Sequence, residues 1–525
     1  MPTEAHPHRF LFVLVTLLCA LGLAPAAAAK DRASDADQAT EPGVEERWYL
    51  VELAGSPAGW MWGRRDTDDA GTITTDTEML LRVRRGAITL EVGVETQSVE
   101  TAAGDPISMT STQDFGGSST TSVYEFQGDT VRVTTTQGGQ VINREVPRPE
   151  GEWLMPAAAE RAARAAAAGG EDRFTVTTLD PAAGLSPITT LRAEPTPAKI
   201  EITDADGAST VEGTRWTVTS TALPGIKSTE TLDAEGEMLA SSTNLGGFDL
   251  VMTLSDRATA LGESNSAEAP EMMVSTFVRA TGIADGKIDR PRMLKHATYR
   301  VSVADGDLPP LPTAAGQTVE VIGDRAARVS VSARTQAASK PQVATDADRG
   351  SSSMINLDDP ELRRMHLRAT AGLTEDASLL ARAEAIRRFV HRVIARKDLG
   401  VGFGSASETA RSRRGDCTEH AVLLAALLRL DGTPARIASG LIYADAFAGA
   451  REIFGYHMWT RALVEIDGVP TWIDLDATLR GTRFDAAHIA LDESPLADDG
   501  LTTTYARIAT ALGRLAIEVE SLDHD

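Results

Sequence analysis

The hydrophobic period of this chain changes once, and the change divides it. Up to about residue 335 the apolar residues fall in short runs rich in Val, Ile, Leu, Thr and aromatics, such as Trp48 to Leu53, Thr77 to Arg84, Ile88 to Glu95, Thr130 to Thr136 and Arg215 to Thr221. Turn pairs such as Gly128-Asp129 and Gly138-Gly139 separate them, which is the pattern of antiparallel sheet. After a polar stretch the period becomes helical. Asp359-Pro360 opens a helix toward Ala369, and Ser378 to Arg396 carries Leu379, Ala383, Ile386, Phe389, Val390 and Ile394 on one broad face. The expected fold class is α+β, with an antiparallel β-rich part preceding a mixed C-terminal domain.

At about 100–200 residues per domain, the 525 residues predict roughly three domains once an export signal is removed. The expected division has a signal peptide at 1–29, a disordered leader at 30–45 and a β-rich domain at 46–260 with one helical insert at Ala157 to Ala168. A small β-rich domain, or an extension of its neighbour, follows at 273–335; a linker at 336–352 then leads to the C-terminal domain at 353–525.

The signal peptide rests on Arg9 after a polar start, an uncharged and mostly apolar run from Phe10 to Leu23, and the small residues Ala24 to Ala29 before Lys30. That run is short against the roughly 20 residues of a bilayer span. Leu18 before Cys19 argues against a lipidation site. The expected location is outside the cytoplasm, periplasmic or extracellular, with no membrane span after cleavage. The formal charge of -24 repels nucleic-acid phosphates, so no nucleic-acid partner is expected. The chain has two cysteines, which excludes a disulfide scaffold and multi-cysteine metal sites. Cleavage after Ala29 removes Cys19 and leaves Cys417 alone. An unpaired thiol in an oxidising compartment is exposed to oxidation, although a lone cysteine is more commonly an inert small hydrophobe.

The neighbours of Cys417 favour chemistry. Gly415-Asp416-Cys417-Thr418-Glu419 starts a helix that is apolar all round to Leu428, with Asp416 and Glu419 spaced as a capping box and Asp431-Gly432-Thr433-Pro434 at its end. The first turn of a helix carries unpaired N–H groups and the positive end of the dipole, a setting that favours a thiolate and can stabilise an oxyanion. A thiolate nucleophile needs a base and a group to orient the base. Gly455 to Ile466 reads as a strand with His457 near its start, Asp467-Gly468 as a turn, and Thr471 to Thr478 as the returning strand bearing Asp474 and Asp476.

The region from about 355 to 520 resembles the transglutaminase-like superfamily of papain-like thiol enzymes, in its exported bacterial form. The resemblance is carried by Ser405-Ala406-Ser407-Glu408-Thr409, the Gly-Asp-Cys helix start, Thr433-Pro434-Ala435-Arg436, His457-x-Trp459, and Trp472 to Asp476-Ala477-Thr478. It implies a papain-like core, with Cys417 as nucleophile, His457 as base and Asp476 as the acid that orients it. It also implies a thioester formed from a protein or peptide amide and passed to an amine or to water. Met458 and Arg461 stand where Ala and Glu are frequent, which leaves substrate choice open. Residues 46–260 resemble N-terminal regions attached to exported bacterial proteins of this kind, and no function is carried over from them.

Hairpin register separates the two candidate acids without the family. A two-residue turn at Asp467-Gly468 pairs Ile466 with Val469, sets Arg461 opposite Asp474 and puts His457 opposite Thr478. Asp476 is then the diagonal neighbour of His457, about 7–8 Å away at the backbone, and Asp474 lies one further step along; a four-residue turn containing Pro470 moves both away but keeps that order.

His420, three residues from Cys417 on the same helix, is expected to be structural. Gly400-Val401-Gly402-Phe403-Gly404 follows a helix rather than a strand, so no cofactor cradle is expected. Arg411, Arg413 and Arg414 read as a solvated basic patch, with support for an acidic substrate group or the thiolate as the alternative. No histidine pair has zinc-ligand spacing, and no metal is expected. The expected function is thus an exported thiol acyltransferase, protease or amidase. The alternative is a non-catalytic binding or assembly protein that keeps the same fold as a scaffold. N-terminal sequencing of the exported chain should begin at Lys30, and an intact Met1 would contradict the signal-peptide assignment.

Overall fold

The computed structural model describes residues 44–524 apart from 86–87, 206, 224, 246–247, 267, 272–275, 305, 334–335, 398–403, 481–483 and 498–512. The expected signal peptide, almost all of the leader, and Gly400 to Phe403 therefore lie outside the described residues. Contacts divide the chain into two units, one reaching from the N-terminal side to Glu271 and the other formed by 272–525 with Arg85–Ile88.

The first unit is a single antiparallel sheet of fourteen strands. Strands pair in sequence order from β1 (Val44–Leu53) to β8 (Gln140–Pro147) and again from β9 (Arg173–Thr178) to β14 (Asp249–Ser255); β1 pairs with β14 to join the two runs. Alternation sets the buried face: Tyr49, Val51 and Leu53 on β1, and Leu90, Val92 and Val94 further along. Helix α1 (Pro156–Ala168) packs against Phe174, Trp216, Val218 and Leu232. Met155 offers no capping oxygen, so buried Glu100 supplies one from the sheet, accepting from Ala157 N and Ala158 N at 3.0 and 2.9 Å. Helix α2 (Arg257–Ser266) is capped by Asp256 and places Ala260 against Trp60 and Trp62.

In the second unit, β15 (Ala280–Thr281), β16 (His296–Val303), β17 (Gln317–Gly323) and β18 (Ala326–Ser332) form a five-stranded sheet with β25 (Leu515–Asp523), which sits between β15 and β16. The described strands of the expected 273–335 piece thus share a sheet with β25. The remainder has helices α3 (Pro360–Thr370), α4 (Leu379–Val393), α5 (Ala406–Ser412) and α6 (Cys417–Leu430). It also has a two-stranded pair, β19 (Arg396–Lys397) with β20 (Arg414–Gly415), and a four-stranded sheet. That sheet comprises β21 (Ala435–Phe447), β22 (Ala450–Ile466), β23 (Val469–Leu475) and β24 (His488–Ser494), in the order β23-β22-β21-β24. Asp359 caps α3 and Ser378 caps α4, as their positions before helical periodicity predict. The expected apolar face of α4 is largely inside, but Leu379 at its first position is exposed and Arg387 is buried in its place.

Helix α6 is the centre of this domain. Every residue from Cys417 to Arg429 is buried, as all-round apolar character requires. Its core takes in Leu362, Ile386, Ile437, Val464 and Leu475 from the surrounding elements. Residues 336–352, expected as a linker, are bound to the domain: Gln342 N donates to Pro470 O at 2.9 Å, Trp472 N donates to the Gln342 amide oxygen at 2.6 Å, and Ala338 N donates to Thr471 Oγ1 at 3.0 Å. Asp348 holds Arg436 from the same segment, at 2.7 and 2.9 Å. Among the described residues no helix is long and apolar enough to cross a membrane.

Candidate active site

Cys417 is the first residue of α6, and the cap in front of it is closed from both sides. Asp416 Oδ1 accepts from Thr418 N at 2.9 Å, and Glu419 Oε2 accepts from Asp416 N at 2.7 Å. The other Glu419 oxygen accepts from Gly404 N at 2.9 Å, so one buried carboxylate ties the helix start to the end of the preceding loop. Burial, then the Asp416 charge, push the Glu419 carboxyl well above the usual range. Gly415 makes the approach feasible: its φ is +143°, and a Cβ there would lie 2.4 Å from Glu419 Cβ. Upstream, α5 has its own complete box of Ser405 and Glu408.

The hairpin turns at Asp467-Gly468, both with positive φ, and pairs Ile466 with Val469 and Arg461 with Asp474, the register expected from the sequence. The ladder stops at Thr460–Leu475, so His457 has no strand partner on β23. The chain instead leaves the sheet and brings Asp476 to His457: Nε2 and Oδ2 are 2.6 Å apart, with both side chains almost fully buried. Asp474 serves Arg461, whose Nε donates to it at 2.8 Å, and Trp459, whose Nε1 donates at 2.7 Å.

The Asp476 carboxylate is held on both oxygens. Oδ1 accepts from Thr478 N at 2.7 Å and Thr478 Oγ1 at 2.6 Å; Oδ2 faces His457 and, at 3.4 Å, Nε2 of His488. Helix α4 fixes the backbone on either side: buried Arg387 donates to Asp476 O at 3.2 Å, and His391 Nδ1 lies 3.0 Å from Ala477 O. Burial works against charge on Asp476, but His457 and then His488 hold its carboxyl well below the usual range. Burial likewise opposes charge on His488, yet Asp485 and Asp476 outweigh it and raise its pKa. By linkage, the Asp476 contribution to stability is present above about pH 4 and lost as pH falls through its lowered value. The His488 contribution is present below about pH 6.5 and lost as pH rises through its raised value.

Strand β22 also packs on α6. Thr460 Oγ1 donates to Ala421 O at 2.9 Å, one helical turn past Cys417, and Cys417 shares one apolar core with Met458 and Ala477. Cys417 and His457 are 3% and 5% exposed, so the thiol and imidazole sit below the surface. His420 is fully buried, with Nδ1 2.5 Å from Asp416 O on its own helix. Of the basic patch, Arg411 pairs with Asp359 at 2.5 Å and Arg413 lies 3.9 Å from Glu361, so both support the start of α3.

His488 and Arg387 were not singled out by sequence reasoning. The one local sign of His488 is Asp485 three residues before it; its Nδ1 meets that carboxylate at 3.1 Å. The structure brings His457, Asp476 and His488 together as a set that could hold a metal ion, their ligand atoms within 4.8 Å of one another. Hydrogen bonding through the shared Oδ2 accounts for that closeness.

Residues 365–477 match the family described as the transglutaminase-like superfamily. No curated protein matches the chain. Among solved structures, a β-barrel-like protein of a domain of unknown function from Brucella abortus is 12% identical, covers 40% of this chain and 94% of its own, and has a TM-score of 0.30. A cysteine protease candidate from Cytophaga hutchinsonii is 14% identical over 44% of this chain and 89% of its own, with a TM-score of 0.23. A protease candidate from Parabacteroides distasonis is 9% identical over 71% of this chain and 69% of its own, with a TM-score of 0.18. At these scores the three likenesses carry no argument about fold or function.

Gly415→Ala should cost about 2–5 kcal/mol, from a strained φ together with overpacking against Glu419. Denaturant unfolding would measure it, and a loss below about 1 kcal/mol would contradict the close approach described here.

Proposed function

We propose, with the transglutaminase-like core of residues 365–477 as premise, that the protein is an exported thiol enzyme attacking peptide or side-chain amides through a thioester on Cys417. The observation that carries the reading is the buried 2.6 Å contact between His457 Nε2 and Asp476 Oδ2 on a strand packed against the helix that Cys417 begins. With Nε2 against the carboxylate, the contact supports Nδ1 as the nitrogen that exchanges a proton with the thiol. Export is supported by the layout of residues 1–29.

In the reaction, His457 takes the Cys417 proton and the sulfur attacks the amide carbonyl carbon. The positive end of the α6 dipole favours the resulting oxyanion. His457 then gives its proton to the amide nitrogen, the C–N bond breaks, and an amine leaves behind a thioester. Water or a second amine attacks that thioester while His457 accepts its proton, the C–S bond breaks, and the thiol is restored. Asp476 keeps the imidazole in one orientation and stabilises its charged form.

Mass spectrometry of the mature chain incubated with a panel of peptide amides tests this. The expected result is an acyl adduct on the peptide containing Cys417, released by hydroxylamine and absent in Cys417→Ser and His457→Ala. Asp476→Ala should cut turnover by about 10⁴-fold, since the base loses its orientation. Asp474→Ala should act far less on turnover, and His420→Ala should act through stability alone. Undiminished turnover in Cys417→Ser would refute the nucleophile, and equal losses at Asp474 and Asp476 would refute the assigned acid.

A further inference from the structure

The N-terminal unit contains a cavity of about 300 Å³ between α1, the turn after β9, and the inward faces of strands on both sides of the β1–β14 seam. That volume lies at the lower end of small-ligand pockets, about 300–1,000 Å³. Much of the wall is apolar and comes from distant parts of the chain: Met61, Leu179, Val218, Leu223, Ile226 and Leu232.

Buried polar side chains nearly always find partners, and here four oxygens that line one space do not; the Nε atoms of Arg64, Arg65 and Arg164 on the same wall also lack one, but those guanidinium groups already pair with carboxylates through their terminal nitrogens. Asp180 is 3% exposed; its Oδ1 accepts from Ala182 N at 2.8 Å, while its Oδ2 has no partner among the described residues. Ser241 Oγ, Thr75 Oγ1 and Thr77 Oγ1 are likewise buried without one. These atoms come from three separate elements, so local packing within one of them does not explain the group.

Charge on the wall selects the ligand. Its four glutamates all reach arginines: Glu237 pairs with Arg47 and Arg164, Glu160 with Arg65 and Arg164, Glu45 with Arg65 at 3.3 Å, and Glu230 with Arg192 at 2.7 Å. The fifth arginine, Arg64, pairs with Asp66 at 3.2 Å. Asp180 is the acid left over. Burial pushes its carboxyl up to about 7 against the pull of the Ala182 and Ala183 N–H groups, as befits an acid awaiting a donor.

We propose that this cavity binds a small amphipathic amine, whose apolar body lies against the aliphatic wall and whose ammonium meets Asp180 Oδ2. The ligand satisfies the orphaned carboxylate, neutralises its charge and displaces water from an apolar surface. Ser241, Thr75 and Thr77 offer further oxygens to a polar head. The site is independent of the thiol chemistry.

The test is a fluorescence titration of the mature full chain with N-phenyl-1-naphthylamine, followed by competition with dodecylamine, dodecanol and dodecanoate below their micelle concentrations. A saturable rise in emission is expected, reversed by dodecylamine at a concentration about tenfold or more below dodecanoate, the scale of one hydrogen bond to a charged group. In Asp180→Asn, which keeps the cavity's shape, the probe should still bind and the amine preference should fall to within about threefold. Val218→Trp, which fills the space, should abolish probe binding. No saturable signal in the wild-type chain, equal displacement by amine and carboxylate, or an unchanged preference in a folded Asp180→Asn would each overturn the proposal. Should a variant fail to fold, the wild-type ranking decides alone.

Discussion

A helix buried on every side must find partners for its first N–H groups without water, and in α6 two carboxylates of its own start supply them. Asp416 and Glu419 exchange bonds across the first turn, and Glu419 uses its second oxygen to secure Gly404. Burying two acids so close together is costly, and the elevated Glu419 carboxyl records that cost. The arrangement also constrains the sequence, because only a glycine at 415 lets the chain approach. With its end sealed, α6 can be enclosed completely, and the helices and sheet around it have a common core.

The second constraint is the end of a ladder. Strand β23 follows β22 up to Leu475 and then departs, which frees Asp476 to turn toward His457 rather than continue in the pleat. Asp474, still within the strand, is committed to Arg461 and Trp459. Two carboxylates only two residues apart therefore have different duties, one holding a buried cation in the sheet and the other a buried imidazole. Arg387 and His391 on α4 brace the departing chain, and His488 reaches the same Asp476 oxygen from β24.

What could be read from the sequence was local. The Asp467-Gly468 turn fixes a two-residue hairpin, and from it the Arg461–Asp474 pairing follows by counting. The spacing of Asp416 and Glu419 announces the cap, and Asp359 and Ser378 announce two more. Long-range pairing was not legible. Nothing near residues 515–523 indicates that they lie beside 296–303, or that β1 joins β14 to make one sheet of fourteen strands. His488 carries no such signal, because its link to Asp476 is made by sheet order, β24 beside β21, and not by spacing. Residues 336–352 look like a linker because they hold to the domain by scattered polar contacts, as Gln342 and Asp348 do, rather than through an apolar stripe.

The proposed role of the His457–Asp476 pair is to make Cys417 a reactive thiolate. Cleavage before Lys30 would leave it the single cysteine of the mature chain, so alkylation by iodoacetamide across pH 4–9, read by mass spectrometry, reports on it alone. Alkylation well below the ordinary thiol pKa of about 8.5 is expected, moved upward in His457→Ala. A pH profile the same as that of free cysteine, in a folded wild-type chain, would contradict it.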